Sequence, residues 1–120
     1  MSRLPRAHVI DASVGIKRFV REDQSAEVRT LFDRLVRDEC VFVLPDLFYV
    51  ECANVLWKKV VREEHPIDKA IADMADLRAL ALTSVPTREL AERALEIACL
   101  HGITAYDACY VALSEQEHLP

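Results

Sequence analysis

The stretch CVFVLPDLFYVECANVLWKKVV, residues 40–61, changes its period partway along. Its first part, CVFVLP, is a β-branched and aromatic run of strand length that stops at Pro45, a residue with no amide proton to give to a sheet. From Asp46 to about Val61 the apolar residues follow the 3.6-residue repeat of a helix, and Asp46 is placed to cap it. The segment predicts a strand that runs directly into a long helix.

The same junction recurs on either side. HVID (8–11) is a short apolar burst leading into a helical pattern over Ala12 to Val20, and Asp11 is positioned to cap that helix. A second helix around Ser25 to Arg37 keeps Val28, Leu31, Phe32, Leu35 and Val36 on one side. HPIDKAIADMADLRALAL (65–82) predicts a helix entered through Pro66, and LTSVP (82–86) a strand. Thr87 then opens a helix with Leu90, Ala94, Leu95, Ile97 and Ala98 on its apolar side, ended by Gly102. ITA (103–105) is a brief strand or turn before a last helix near Ala105 to Gln116. Short strands alternating with long helices predict an α/β fold with a parallel sheet covered on both faces.

With 120 residues the chain has room for one core and too little for two, so a single domain over 1–120 is expected. Apolar residues make up 52% and glycine and proline are sparse, which excludes a disordered or fibrous chain. Cys40, Cys52, Cys99 and Cys109 form no C-x-x-C pair, and their apolar surroundings read as core positions in a reducing cytosol. MSRLPRAHVIDAS has no apolar stretch of signal-peptide length, and no run of eighteen apolar residues spans a bilayer, so a cytoplasmic protein without a membrane segment is expected. The net charge of −5, without a lysine or arginine block, argues against holding long nucleic acid mainly by phosphate neutralisation. A compact site bridged by metal stays open.

In a parallel α/β sheet, ligands gather where strands turn into helices. Asp11 and Asp107 fall at such junctions, and Glu51 lies on the second turn of the helix after CVFVLPD. That helix is apolar on nearly every side, the pattern of burial, and Glu51, Asn54 and Lys58 form its one polar stripe. Lys58 is about 10 Å along the axis from Glu51, so Glu51 needs a partner from elsewhere. An unpaired buried carboxylate costs several kcal/mol, and a divalent cation shared by several acids removes that cost. All-oxygen ligands point to Mg²⁺ or Mn²⁺ rather than zinc. Simpler roles compete: Asp11 as a helix cap, and TAYD (104–107) as a capping box with Thr104 at the cap and Asp107 at the third helical position. His8, His65, His101 and His118 share no ligand spacing and read as surface or helix-end residues. No Ser-His-Asp order, Cys-His neighbourhood or glycine-rich phosphate loop is present.

VIDASV, LPDLFYVECANVLWK and ITAYDACYVAL, in this order and spacing, resemble the PIN domain, in particular the small VapC-like toxins of toxin-antitoxin pairs. The resemblance implies a three-layer α/β/α sandwich and a Mg²⁺- or Mn²⁺-dependent endoribonuclease. By position, Asp11, Glu51 and Asp107 match the family's three metal-holding catalytic acids. Ser13 matches a hydroxyl near the first acid, and Asn54 and Thr104 match polar neighbours of the second and third; a structural role accounts for these three equally well. It also implies a cognate antitoxin protein, an RNA substrate and a homodimer. The family continues into a final strand carrying a fourth acid; that strand is expected to follow HLP (118–120), and Glu115, about 12 Å beyond Asp107 along the helix, does not replace it. Lys17, Arg18, Lys58, Lys59 and Arg62 are available for RNA contacts, though an ordinary solvated surface explains them better. The rival from another class is a catalytically weak PIN-like module that works by binding a protein partner. A phospho-acceptor receiver domain is a further alternative, and Arg3 and Arg6 stand where it wants acids.

Overall fold

The computed structural model describes residues 6–9, 33, 37 and 40–118. Asp11, Ser13, Lys17, Arg18 and the helix expected over 12–20 lie outside the described residues, as does the helix expected over 25–37 apart from Asp33 and Arg37. Strands β1 (Arg6–Val9), β2 (Cys40–Pro45) and β3 (Thr83–Val85) form one parallel sheet in that order. Val9 pairs with Val43, and Val43 with Thr83, so the carboxyl ends of all three strands share one edge. Parallel neighbours need a long crossover. Between β2 and β3 it is a helical hairpin of α1 (Leu47–Arg62) and α2 (Ile67–Ala79); after β3 come α3 (Thr87–His101) and α4 (Ala105–Glu117).

The alternation of β2 builds the layers, because successive side chains of a strand point to opposite faces. Phe42 and Leu44 pack with Phe48, Cys52 and Leu56 of α1 and Ala70 and Leu77 of α2. Val43 faces the other way, into Leu90, Ala94 and Ile97 of α3 and Ala108, Cys109, Ala112 and Leu113 of α4. The result is the α/β/α arrangement. Fully burying a side chain such as Phe42, Phe48 or Leu113 contributes about 1.5–3 kcal/mol, so β2 is held from both sides.

Several expectations change. The first helix is not buried all round: Val50, Trp57 and Val61 are 72%, 56% and 55% exposed, because a helix lying on a sheet buries only the stripe that faces it. α2 stops at Ala79, since Leu80 turns extended (φ −69°, ψ 146°) to enter β3. Of the strand or turn expected over 103–105 no strand forms, and Thr104 caps α4 as its place in TAYD implied. Cys99 is exposed on α3, whereas Cys52 and Cys109 are buried thiols. His65 is not a surface residue: it is largely buried, 3.9 Å from the Oδ2 of Asp73, whose Oδ1 lies 3.7 Å from Lys69 Nζ. The backbone of the short link between α1 and α2 folds inward there, with the His65 amide donating to Lys59 O.

Gly102 ends α3 as expected. Its φ of 65° is left-handed, a conformation open to glycine, and its amide donates to Ala98 O at 2.9 Å. The chain then bends by 113° into α4, whose Ala108, Cys109, Ala112 and Leu113 join the core around Val43.

Candidate active site

Asp46 follows β2, but it does not cap its own helix. Its backbone is already helical (φ −65°, ψ −17°), unlike the extended backbone that lets a cap side chain reach back, and it makes no cap bond in α1. Its Oδ1 accepts from the Thr87 amide at 3.0 Å, while its own amide donates to Val85 O at 2.9 Å. The carboxylate thus caps α3 and ties the end of β2 to the end of β3.

Glu51 sits on the second turn of α1, half-buried. The partner that its surroundings demanded is Tyr110, whose hydroxyl donates to Glu51 Oε1 at 2.6 Å across 59 residues of sequence. Among the described residues no lysine, arginine or histidine pairs with Glu51. Asn54, expected to steady it, is exposed and makes no side-chain hydrogen bond among the described residues. Lys58 and Arg62 are exposed, and Lys59 pairs with Glu63 at 3.3 Å.

The TAYD segment forms half of its expected capping box. Thr104 has the extended cap backbone (φ −70°, ψ 155°), and its Oγ1 accepts from the Asp107 amide at 3.1 Å. The reciprocal bond from the Asp107 carboxylate is not formed, and among the described residues that carboxylate has neither hydrogen bond nor ion pair. Asp107 is exposed. The cost of a buried charge therefore does not apply to it: the buried side of α4 is Ala108, Cys109, Ala112 and Leu113, and Asp107 stands at the open helix start.

Glu51 is tied through Tyr110 to the helix that carries Asp107. Tyr110 follows Asp107 by three residues and so shares its side of the helix, and the Tyr110 hydroxyl holds Glu51. Cys109 reports the same neighbourhood, its thiol pushed up first by burial and then by the nearby Glu51 and Asp46 carboxylates. That direction makes it an inert thiol rather than a nucleophile. Glu115 is engaged elsewhere, accepting from Arg93 Nε at 2.9 Å. The described residues alone gather no group of three His, Cys, Asp or Glu side chains able to hold a metal ion. An open groove of about 330 Å³ adjoins Cys109, lined among others by Leu47, Thr87, Arg88, Ala105 and Tyr106.

Tyr110 and the bridging role of Asp46 were not anticipated. A signal for Tyr110 existed: a tyrosine one turn beyond Asp107 on a largely apolar helix needs a partner for its hydroxyl. No comparable signal marks Asp46, whose partner is 41 residues away.

A parallel sheet between helical layers, with Asp46 at the end of β2, Glu51 on the second turn of α1 and Asp107 on the first turn of α4, defines a class of acid-bearing α/β domains. The sequence matches the PIN domain over residues 8–120, and the chain belongs to that family. Within it the chain is VapC-like: it is 34% identical over 112 residues to Ribonuclease VapC3 of Pyrobaculum aerophilum, a match covering 90% of this chain and 81% of that protein. Among the described residues no single helix is long and apolar enough to cross a membrane.

Proposed function

We propose that this chain is a metal-dependent endoribonuclease, the toxin of a toxin-antitoxin pair, with Asp11, Glu51 and Asp107 as its catalytic acids. The observation that carries this reading is the meeting of Glu51 with α4 one turn past Asp107, in a PIN-domain chain where neither carboxylate is neutralised by a basic side chain among the described residues. The similarity to a protein named as a ribonuclease supports RNA as the substrate. In the sequence Asp11 follows Val9, the last residue of β1, by two positions.

The donor set suits a hard dication. Both described acids offer only oxygen, the chemistry that Mg²⁺ and Mn²⁺ favour, and both keep oxygens uncommitted among the described residues. When bound, such an ion supplies an activated water at neutral pH and offsets charge on the leaving oxygen. The chain's own part is to hold these carboxylates in place. Thr104 fixes the turn that carries Asp107, Tyr110 fixes Glu51, and the half-burial of Glu51 limits competing water.

The groove bearing Arg88 and Tyr106, a residue 67% exposed, gives RNA a charge for phosphate and a face for a base. The protein works as a single domain in the cytoplasm, as a homodimer, and is restrained by a cognate antitoxin. The test is Asp107→Asn, which leaves the backbone bond to Thr104 intact. Mn²⁺-dependent cleavage of single-stranded RNA should fall by about a hundredfold or more, equal to ~2.7 kcal/mol of transition-state stabilisation. The melting temperature in chelator should stay near wild type. Undiminished cleavage refutes the assignment.

A further inference from the structure

We propose that the Tyr110 hydroxyl is a positioning group that keeps Glu51 a one-oxygen donor, and thereby biases the acid site toward small octahedral dications and against Ca²⁺. The proposal rests on the reading of Glu51 as a metal-holding acid.

The geometry is specific. At 2.6 Å the bond falls within the short range of hydroxyl-to-carboxylate bonds. It joins α1 to α4, and both residues are half-buried, so water competes poorly for either end. Tyrosine has only two side-chain torsions, and the flanking Cys109 and Ala108 are packed in the core, which fixes where the ring starts. The hydroxyl lies on the side of α4 that also carries Asp107.

A carboxylate has two oxygens and about four lone-pair directions. With Oε1 held by the phenol, a cation that clasps both oxygens must displace or share that bond, whereas one that takes only Oε2 need not. Ca²⁺ has 6–8 oxygens at about 2.3–2.6 Å and readily uses bidentate carboxylates; Mg²⁺ keeps near-octahedral geometry at about 2.0–2.1 Å and retains several waters. Tyr110 therefore does more than tie two helices together. It restricts which dications the site accepts, a property that a purely structural hydrogen bond would not alter.

The experiment measures Mn²⁺, Mg²⁺ and Ca²⁺ binding by calorimetry, with the full chain as wild type and as Tyr110→Phe, alongside melting in chelator. Phenylalanine keeps the ring and removes the hydroxyl, and with it the bond to Glu51. The expected result is a fall of about tenfold or more in the preference for Mn²⁺ over Ca²⁺, in line with the effect of residues that orient metal ligands. A preference unchanged within about twofold overturns the proposal, whatever happens to the melting temperature, and leaves the metal reading of Glu51 standing. A wild type that binds no dication removes both. Should Tyr110→Phe fail to fold, the infrared difference spectrum between Mn²⁺-loaded wild type and Glu51→Gln decides. A one-oxygen carboxylate signature supports the proposal, and a chelating one overturns it.

Discussion

Thr104 offers a way to separate scaffold from chemistry at this site. Its Oγ1 accepts from the Asp107 amide at 3.1 Å, and the Ala108 amide donates to Thr104 O at 2.9 Å, so Thr104→Val deletes one cap bond and leaves the other. Losing a threonine cap costs about 0.5–2 kcal/mol, typically ~1. With RT of about 0.59 kcal/mol, that multiplies the frayed population of the first turn of α4 by about five. If that turn is open about 5% of the time in wild type, it is open about 20% of the time in the variant, and the fraction competent to bind falls from about 0.95 to about 0.8. Hydrogen exchange at Ala108 should therefore quicken about fourfold, and at Asp107, whose amide loses its acceptor outright, by more, while the apparent Mn²⁺ affinity drops by less than about twofold. Thr104→Ser should restore both. The reasoning fails if exchange at these amides does not change, since the cap bond would then not be holding the turn. It fails in the opposite sense if Mn²⁺ affinity falls tenfold or more, which would mean that the hydroxyl acts at the metal site itself.

Two further outcomes follow from neighbouring parts of the structure. Tyr106→Ala removes an exposed aromatic side chain lining the groove and should weaken single-stranded RNA binding by about 5- to 150-fold, the range for about 1–3 kcal/mol of base stacking, with Tyr106→Phe unaffected; equal affinity in a titration of RNA against Tyr106→Ala would remove the ring from the substrate path. The second concerns α3 and α4, which Arg93 and Glu115 link at the surface. The Arg93 hydrogen bond holds the Glu115 carboxyl below its ordinary value of 4.5. The stabilisation is thus fully present above that ordinary value and is lost as pH falls through the lower folded one. The urea midpoint of wild type should exceed that of Glu115→Gln near neutrality by a small margin, since the pair is exposed and screened, and the gap should close in acid. A gap that keeps its size throughout the acid range would show that the charge of Glu115 is not its source.

How much of this was legible beforehand depends on the distance over which each feature is encoded. The change of period at Pro45, the glycine at 102 and the Thr104 cap are local, and β2, the end of α3 and the start of α4 fall where those residues put them. The layering was also legible, because β2 is apolar at every position and a strand buried on both faces needs helices on both sides. What the sequence hid are the long-range polar choices. Asp46 has the residue type and place of an N-cap, and only the position of Thr87 in three dimensions shows which helix it caps. Burial misled in a related way, since an apolar run tells what a helix can bury and not which side the sheet leaves uncovered, as Trp57 and Val61 illustrate.

Asp107 and Glu51 are instructive together. Both were singled out as acids that an oily helix should not tolerate, yet Asp107 is exposed and the half-buried Glu51 is met by a phenol. The physical ground for pairing them is therefore not a shared burial cost. It is the construction of α4, whose N-terminal turn is fixed by Thr104, whose inner side is anchored by Ala108, Cys109, Ala112 and Leu113, and whose second turn reaches Glu51 through Tyr110. A helix held at its start, along its core face and through one cross-molecule hydrogen bond has little freedom to rotate. On the proposed reading, that rigidity keeps the like-charged carboxylates placed for a cation and stops them spreading apart.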